Sequence, residues 1–228
     1  MKNTLKALLL PSIFVGAALL APADLHAVIP GTGVTATQYD ISISQVELCS
    51  DSACGGSVVV GSGTTTFDIS GVAAGADVGS YASTAGLVAG ETYTHVRVTI
   101  GTVITIAGGG LDNGGQNCQT VTGNAAGNAA GVGTGTVGGA GTAMALTIPN
   151  VGVSTVVQSD YDGFNLSRAA GATTATITFP LTAPFTVGDS EPLVKVTFDT
   201  SDALGALQTG AGTCAVFPRP PGVTIDIQ

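Results

Sequence analysis

Apolar and polar residues alternate along much of this chain with a period of two. Tyr39, Ile41 and Ile43 are separated by Asp40 and Ser42, and Val46 and Leu48 then continue out of phase. Such spacing turns one face of a β-strand to a core and predicts a bulge near Gln45, where the phase slips. Val58-Val59-Val60 and residues 64–69 flank Gly61-Ser62-Gly63, a point for a turn or kink. Residues 92–106 carry the clearest strand signal. Thr94, Val96, Val98 and Ile100 share one face, Tyr93, His95, Arg97 and Thr99 the other, and a bend is expected at Gly101. Further strands are predicted over 144–148, 151–157, 173–181, 193–199 and 223–227, and Pro180 marks its run as an edge strand or the end of one. Only residues 201–207 read as a short helix, with Ser201 as its N-cap. Roughly seven to ten short strands without strand–helix alternation predict an all-β fold, an Ig-like or jelly-roll-type β-sandwich.

Residues 108–141 break the alternation. Gly, Ala, Asn and Thr dominate there, and 123–131 repeats Gly-Asn-Ala-Ala. Long runs without secondary structure are unusual inside a compact domain. Three readings are open: a flexible insertion tethered by Cys118, a segment ordered against a neighbouring subunit, or a domain boundary. The first makes 28–228 a single sandwich domain with a Gly-rich insertion at 108–141.

Ahead of the strands, residues 1–27 read as a secretory signal peptide. Lys2 and Lys6 precede an apolar run over 8–20, and small residues offer cleavage after Ala23 or after Ala27. The run is about 13 residues and includes Pro11, short of the roughly 20 that a membrane span needs. No Cys precedes Cys49 to carry a lipid, and residues 222–228 form neither a hydrophobic tail nor a basic stop sequence. The expectation is a secreted protein, extracellular or at the cell surface, with the periplasm as a further option and no stable membrane anchor in the mature chain.

Composition narrows the function classes. Only 9% of residues are charged, against a typical value of about 25%. Six Lys and Arg against fifteen Asp and Glu give a net charge of −9, which excludes a nucleic-acid binder that relies on a basic face. Removal of residues 1–27 leaves Arg97, Arg168, Lys195 and Arg219 as the basic residues, for a net charge of about −10. The apolar fraction is high enough for a core and excludes an acidic disordered tail.

Four cysteines in an exported chain point to disulfides. Of three formal pairings, Cys49–Cys54 closes the short Ser50-Asp51-Ser52-Ala53 loop and leaves Cys118–Cys214 as its companion. A four-Cys zinc site would usually need close pairs at both ends, and only Cys49 and Cys54 are close.

Two regions bear on the architecture together. Ile43-Ser44-Gln45-Val46-Glu47-Leu48-Cys49 and Phe67-Asp68-Ile69 are followed by Leu87-Val88-Ala89-Gly90-Glu91-Thr92-Tyr93 and then Val96-Arg97-Val98. Over residues 38–100, and more loosely 184–199, the chain resembles a poorly characterised group of secreted bacterial β-sandwich domains. In that group a Leu-x-x-Gly-x-Tyr turn leads into a Val-Arg-Val strand. The resemblance implies a fold and an exported location, and brings no catalytic residues.

Catalysis finds few candidates. His26 leaves with the signal, so His95 is the one histidine of the mature chain, and no Gly-x-Ser-x-Gly elbow presents a serine to it. Lys195, between Val194 and Val196, reads as a solvent-facing strand residue. Gly133-Thr134-Gly135-Thr136-Val137-Gly138 satisfies the dinucleotide fingerprint in letters, but no helical pattern follows to receive a pyrophosphate. The chain is therefore expected not to be an enzyme and to need no cofactor, with calcium as the one candidate ion. Asp160, Asp162 and Asn165 supply oxygen ligands around Gly163, the donor type that calcium prefers, without the EF-hand spacing. The expected function is an exported structural or adhesive protein, the subunit of a filament or surface layer assembled by β-strand addition. The partner is then another copy of the chain. The alternative is a secreted monomeric binding module for calcium or a glycan, the latter disfavoured by the absence of Trp. In the assembly reading the N-terminal arm, with Val28, Ile29 and Val34 as its apolar side chains, adds to a neighbour as a strand, whereas 223–227 closes its own sheet.

Overall fold

The computed structural model describes residues 32–71, 86–124, 131–152, 158–188 and 194–227. Residues 1–27, expected to be a signal peptide, and Val28 and Ile29 lie outside them. The chain forms β1 (Thr32–Val34), β2 (Ala36–Cys49), β3 (Ser57–Asp68), β4 (Thr92–Gly101), β5 (Val103–Leu111), β6 (Asn117–Gln119), β7 (Gly133–Val137), β8 (Met144–Thr147), the one-turn helix α1 (Gln158–Asp162), β9 (Leu166–Ser167), β10 (Thr174–Thr186), β11 (Val194–Asp199), β12 (Leu204–Gly210), β13 (Thr213–Pro218) and β14 (Gly222–Ile227). The fold is all-β and sandwich-like. A large sheet runs in the order β1-β12-β13-β7-β6-β5-β2-β4-β10-β9, with β3 also on β2 and β8 also on β5. A small second sheet holds β11 and β14.

The long strand β2 organises the molecule. Its first residues pair with β5 and its later ones with β4, while β3 is laddered to it from Asp40↔Asp68 to Cys49↔Ser57. β4 and β5 follow one another directly and bend at Gly101–Thr102, where the buried Thr102 receives a bond from Ile148 N and donates to Thr173 O. The ladders slip between Ile43 and Gln45, where the hydrophobic phase changes.

Two hydrophobic clusters result. One gathers Tyr39, Ile41, Ile100, Ile104, Ile106, Met144, Leu146, Leu204 and Val216. The other gathers Leu48, Val60, Tyr93, Val96, Leu181, Val187 and Ile225 at the far end of β2. Tyr39 is deeply buried. Its hydroxyl donates to the Arg219 carbonyl at 3.0 Å, and burial pushes the phenol well above its ordinary pKa.

Three expectations are corrected. Residues 108–141 are not a flexible insertion throughout, because β6, β7 and the end of β5 lie in them and build the path from one half of the large sheet to the other. Their glycines permit backbones to come close. A side chain on Gly109 would collide with the Cys118 carbonyl, and a Cβ on Gly135 would lie 2.7 Å and 2.8 Å from the sulfurs of Cys118 and Cys214. Residues 201–207 form no helix. Ser201 and Asp202 make a turn, with Ser201 N donating to Asp199 Oδ1, and Leu204 begins β12, whose ladder with β13 and inward Leu204 and Ala206 outweigh helix propensity. Val34 is buried in its own chain, since β1 pairs with β12 in the register Val34↔Leu204. Of the strand expected over 151–157, Val151 and Gly152 form a turn and the rest lies outside the described residues.

Candidate functional site

Both expected disulfides form. Cys49–Cys54 ties the β2–β3 turn, where Ser50 N donates to Gly56 O and Thr94 Oγ1 to Ser50 O. Cys118–Cys214 joins β6 to β13 across 96 positions of sequence, and no cysteine is left free among the described residues. Two disulfides in one chain mark an oxidising, extracellular or periplasmic environment.

The outward face of β4 and β2 carries a compact polar cluster. Register places Glu47 opposite Arg97 and Cys49 opposite His95. The Arg97 guanidinium grips the buried Glu47 carboxylate with two bonds, of 2.7 Å and 2.8 Å, and Ser57 Oγ adds a third at 3.0 Å. His95 Nδ1 pairs with the neighbouring Thr94 hydroxyl at 2.8 Å. The hydrogen bonds from Arg97 hold the Glu47 carboxyl below the ordinary range, against burial, which pushes it up. At Asp68, too, burial pushes the carboxyl up, but bonds from the Tyr39 and Ser70 amides and the Ser70 hydroxyl outweigh it and the net shift is downward. The bonds among Glu47, Arg97 and Ser57 tie β2, β3 and β4 together.

These shifts have a consequence for acid stability. A carboxyl with a folded pKa below its unfolded value stabilises fully above the unfolded value, about 4, and the contribution fades as pH falls through the folded value. The thermal midpoint should therefore drop on acidification below about pH 4, and Glu47→Gln should make that drop shallower. An equally steep fall in the variant would place the acid sensitivity elsewhere.

The calcium candidates sit on and after α1. Asp162 accepts a bond of 2.7 Å from Gln158 Nε2, and Asn165, with φ 51°, donates its amide to Asp162 O. Asp160 lies in the same helical turn. Among the described residues no group of three or more His, Cys, Asp or Glu side chains is arranged to hold a metal ion.

Strand edges are the remaining feature with a capacity to act. β3 has 12 residues and, among the described strands, is laddered to β2 alone. It contains no Lys, Arg or Pro, and its first charge is Asp68 at the end. Ser62, Thr64 and Thr65 are exposed, as is Val59 at 44%. Proteins usually guard such edges with charge, proline or shortness. Among the described residues, β3 carries register shifts and a kink at Gly63, φ 102°. The hydrophobic pattern marks the two halves of β3 separately, and their position in the sheet depends on strand order, which the pattern does not encode. No family model, no curated protein and no solved structure matches this chain.

Proposed function

We propose that this chain is an exported structural or adhesive protein, a subunit that assembles outside the cell by β-strand addition. The observation that carries the reading is the long β3, without charge before Asp68 and laddered to β2 alone among the described strands. An edge of this kind accepts a strand from another copy through backbone hydrogen bonds, with little dependence on side-chain identity. In a chain of net charge −9, an edge without charge also lets two copies approach. The N-terminal arm, carrying Val28 and Ile29 ahead of β1, is the proposed donor. Signal cleavage would free it, which couples assembly to export.

The test is the mass distribution and electron-microscopic appearance of the mature protein. Large oligomers or filaments are expected, and a monomer at every concentration would overturn the reading. Ser62→Lys with Thr64→Lys should leave the thermal midpoint nearly unchanged, because both residues are exposed, and should abolish elongation. Filaments formed as readily by this variant would remove β3 from the joint, and filaments formed by a chain without residues 28–31 would remove the arm.

A further inference from the structure

The C-terminal strand β14 stands apart from the large sheet. It is laddered over six positions to β11 alone among the described strands, from Val194↔Ile227 to Asp199↔Gly222, and β11 in turn pairs only with β14. A two-stranded sheet is marginal by itself. This one persists because its apolar side chains cover the second hydrophobic cluster. Ile225 is 2% exposed, and Val223, Ile227 and Val196 pack around Leu48, Val60, Val96 and Leu181. Beyond the ladder, Thr182 Oγ1 donates to Ile225 O at 3.2 Å and ties β14 to β10.

The connection into β14 is equally distinctive. The chain is pinned at Arg219, whose amide donates to Ala203 O at 2.8 Å and whose carbonyl accepts from Tyr39. Pro220 and Pro221 follow, with fixed φ and no amide hydrogen to hold them to a neighbouring strand. The eight residues from Pro220 to Ile227 would span about 25 Å if extended, far enough to reach an adjoining molecule while Arg219 stays in place.

We infer that β14 is an exchangeable strand: in concentrated protein it leaves its own β11 and completes the second cluster of another copy of this chain. The contacts made are the same within one chain and between two, so exchange costs little beyond association itself. The inference rests on the proposal of self-assembly by strand addition, but uses neither the β3 edge nor the N-terminal arm.

Thr197 and Thr224 are register partners on the side away from the cluster, so a cysteine at either should leave the core intact. Full-length Thr197→Cys in isotopically heavy form is mixed at high concentration with light Thr224→Cys, then oxidised and mapped by mass spectrometry. A heavy–light 197–224 disulfide is expected. In the dilute regime its fraction should rise about tenfold for a tenfold rise in protein, by mass action. Absence of that link at high concentration would overturn the inference. The link surviving in the Ser62→Lys/Thr64→Lys background, together with unimpaired oligomers, would support β14 exchange and discard β3. Loss of all oligomers in that background, with no 197–224 link in the parent, would do the reverse.

Discussion

Replacing Cys118 and Cys214 together with alanine should lower stability by about 4–5 kcal/mol, the largest single effect expected in this molecule. The bond spans 96 positions, and the chain-entropy account assigns a loop of that length about 4.7 kcal/mol through restriction of the unfolded chain. Location adds to the effect. Both cysteines are almost completely buried, and they join the short β6 to β13 at the point where β7 links the two. Denaturant unfolding of the parent and the double variant checks this, with the slope showing whether the unfolded state has also expanded. Loss of Cys49–Cys54 should cost less, since a separation of 5 closes little chain. If the two variants lose equal stability, the entropy account fails here.

Gly135→Ala should be among the more damaging single-methyl changes. The new carbon would press on the sulfurs of Cys118 and Cys214 and lie 3.0 Å from Gln119 O. A disulfide cannot swing aside as the end of a flexible side chain can, so β7 must move away from β6 or β13. Overpacking of this kind costs about 1–3 kcal/mol, and the upper end is expected because backbone is also involved. Coupling is the sharper test. In the Cys118→Ala/Cys214→Ala background the sulfurs are gone and the cost of Gly135→Ala should shrink, giving a favourable interaction in a double-mutant cycle. Strictly additive losses would show that the glycine is needed for some other reason.

These two predictions concern a region that the sequence pattern misreads, and the reason is physical. Period-two alternation reports side chains divided between a core face and an open face. It therefore finds β2, β4 and β10, where Ile41, Val96 or Ile177 stands between polar neighbours. Gly109 and Gly135 contribute by having nothing to bury, so a strand that packs backbone against disulfide looks like a linker. At 204–207, Leu204 and Leu207 are three apart and fit a helix as well as a strand. Only the ladder with β13 decides between them. The disulfide pairing was legible because a five-residue separation leaves one short closure to choose. The strand edges were not, since whether β3 or β14 has a neighbour depends on sheet order, which alternation does not encode. Locally Val34 reads as an apolar residue of an arm, but its seat beside Leu204 is a long-range contact that no local pattern announces.

The bond from Tyr39 to Arg219 joins residues 180 positions apart, and β1 completes its ladder only with β12. Such a chain has a high contact order, and folding of this type is slow because distant segments must meet before they reward one another. If the protein is translocated from its N-terminus, the first cluster cannot close until β13 has emerged. An emerging β2 and β3 would wait with apolar surface uncovered. During that interval the scarcity of Lys and Arg, 6 in 228 residues, would leave few places for trypsin-like proteases to cut.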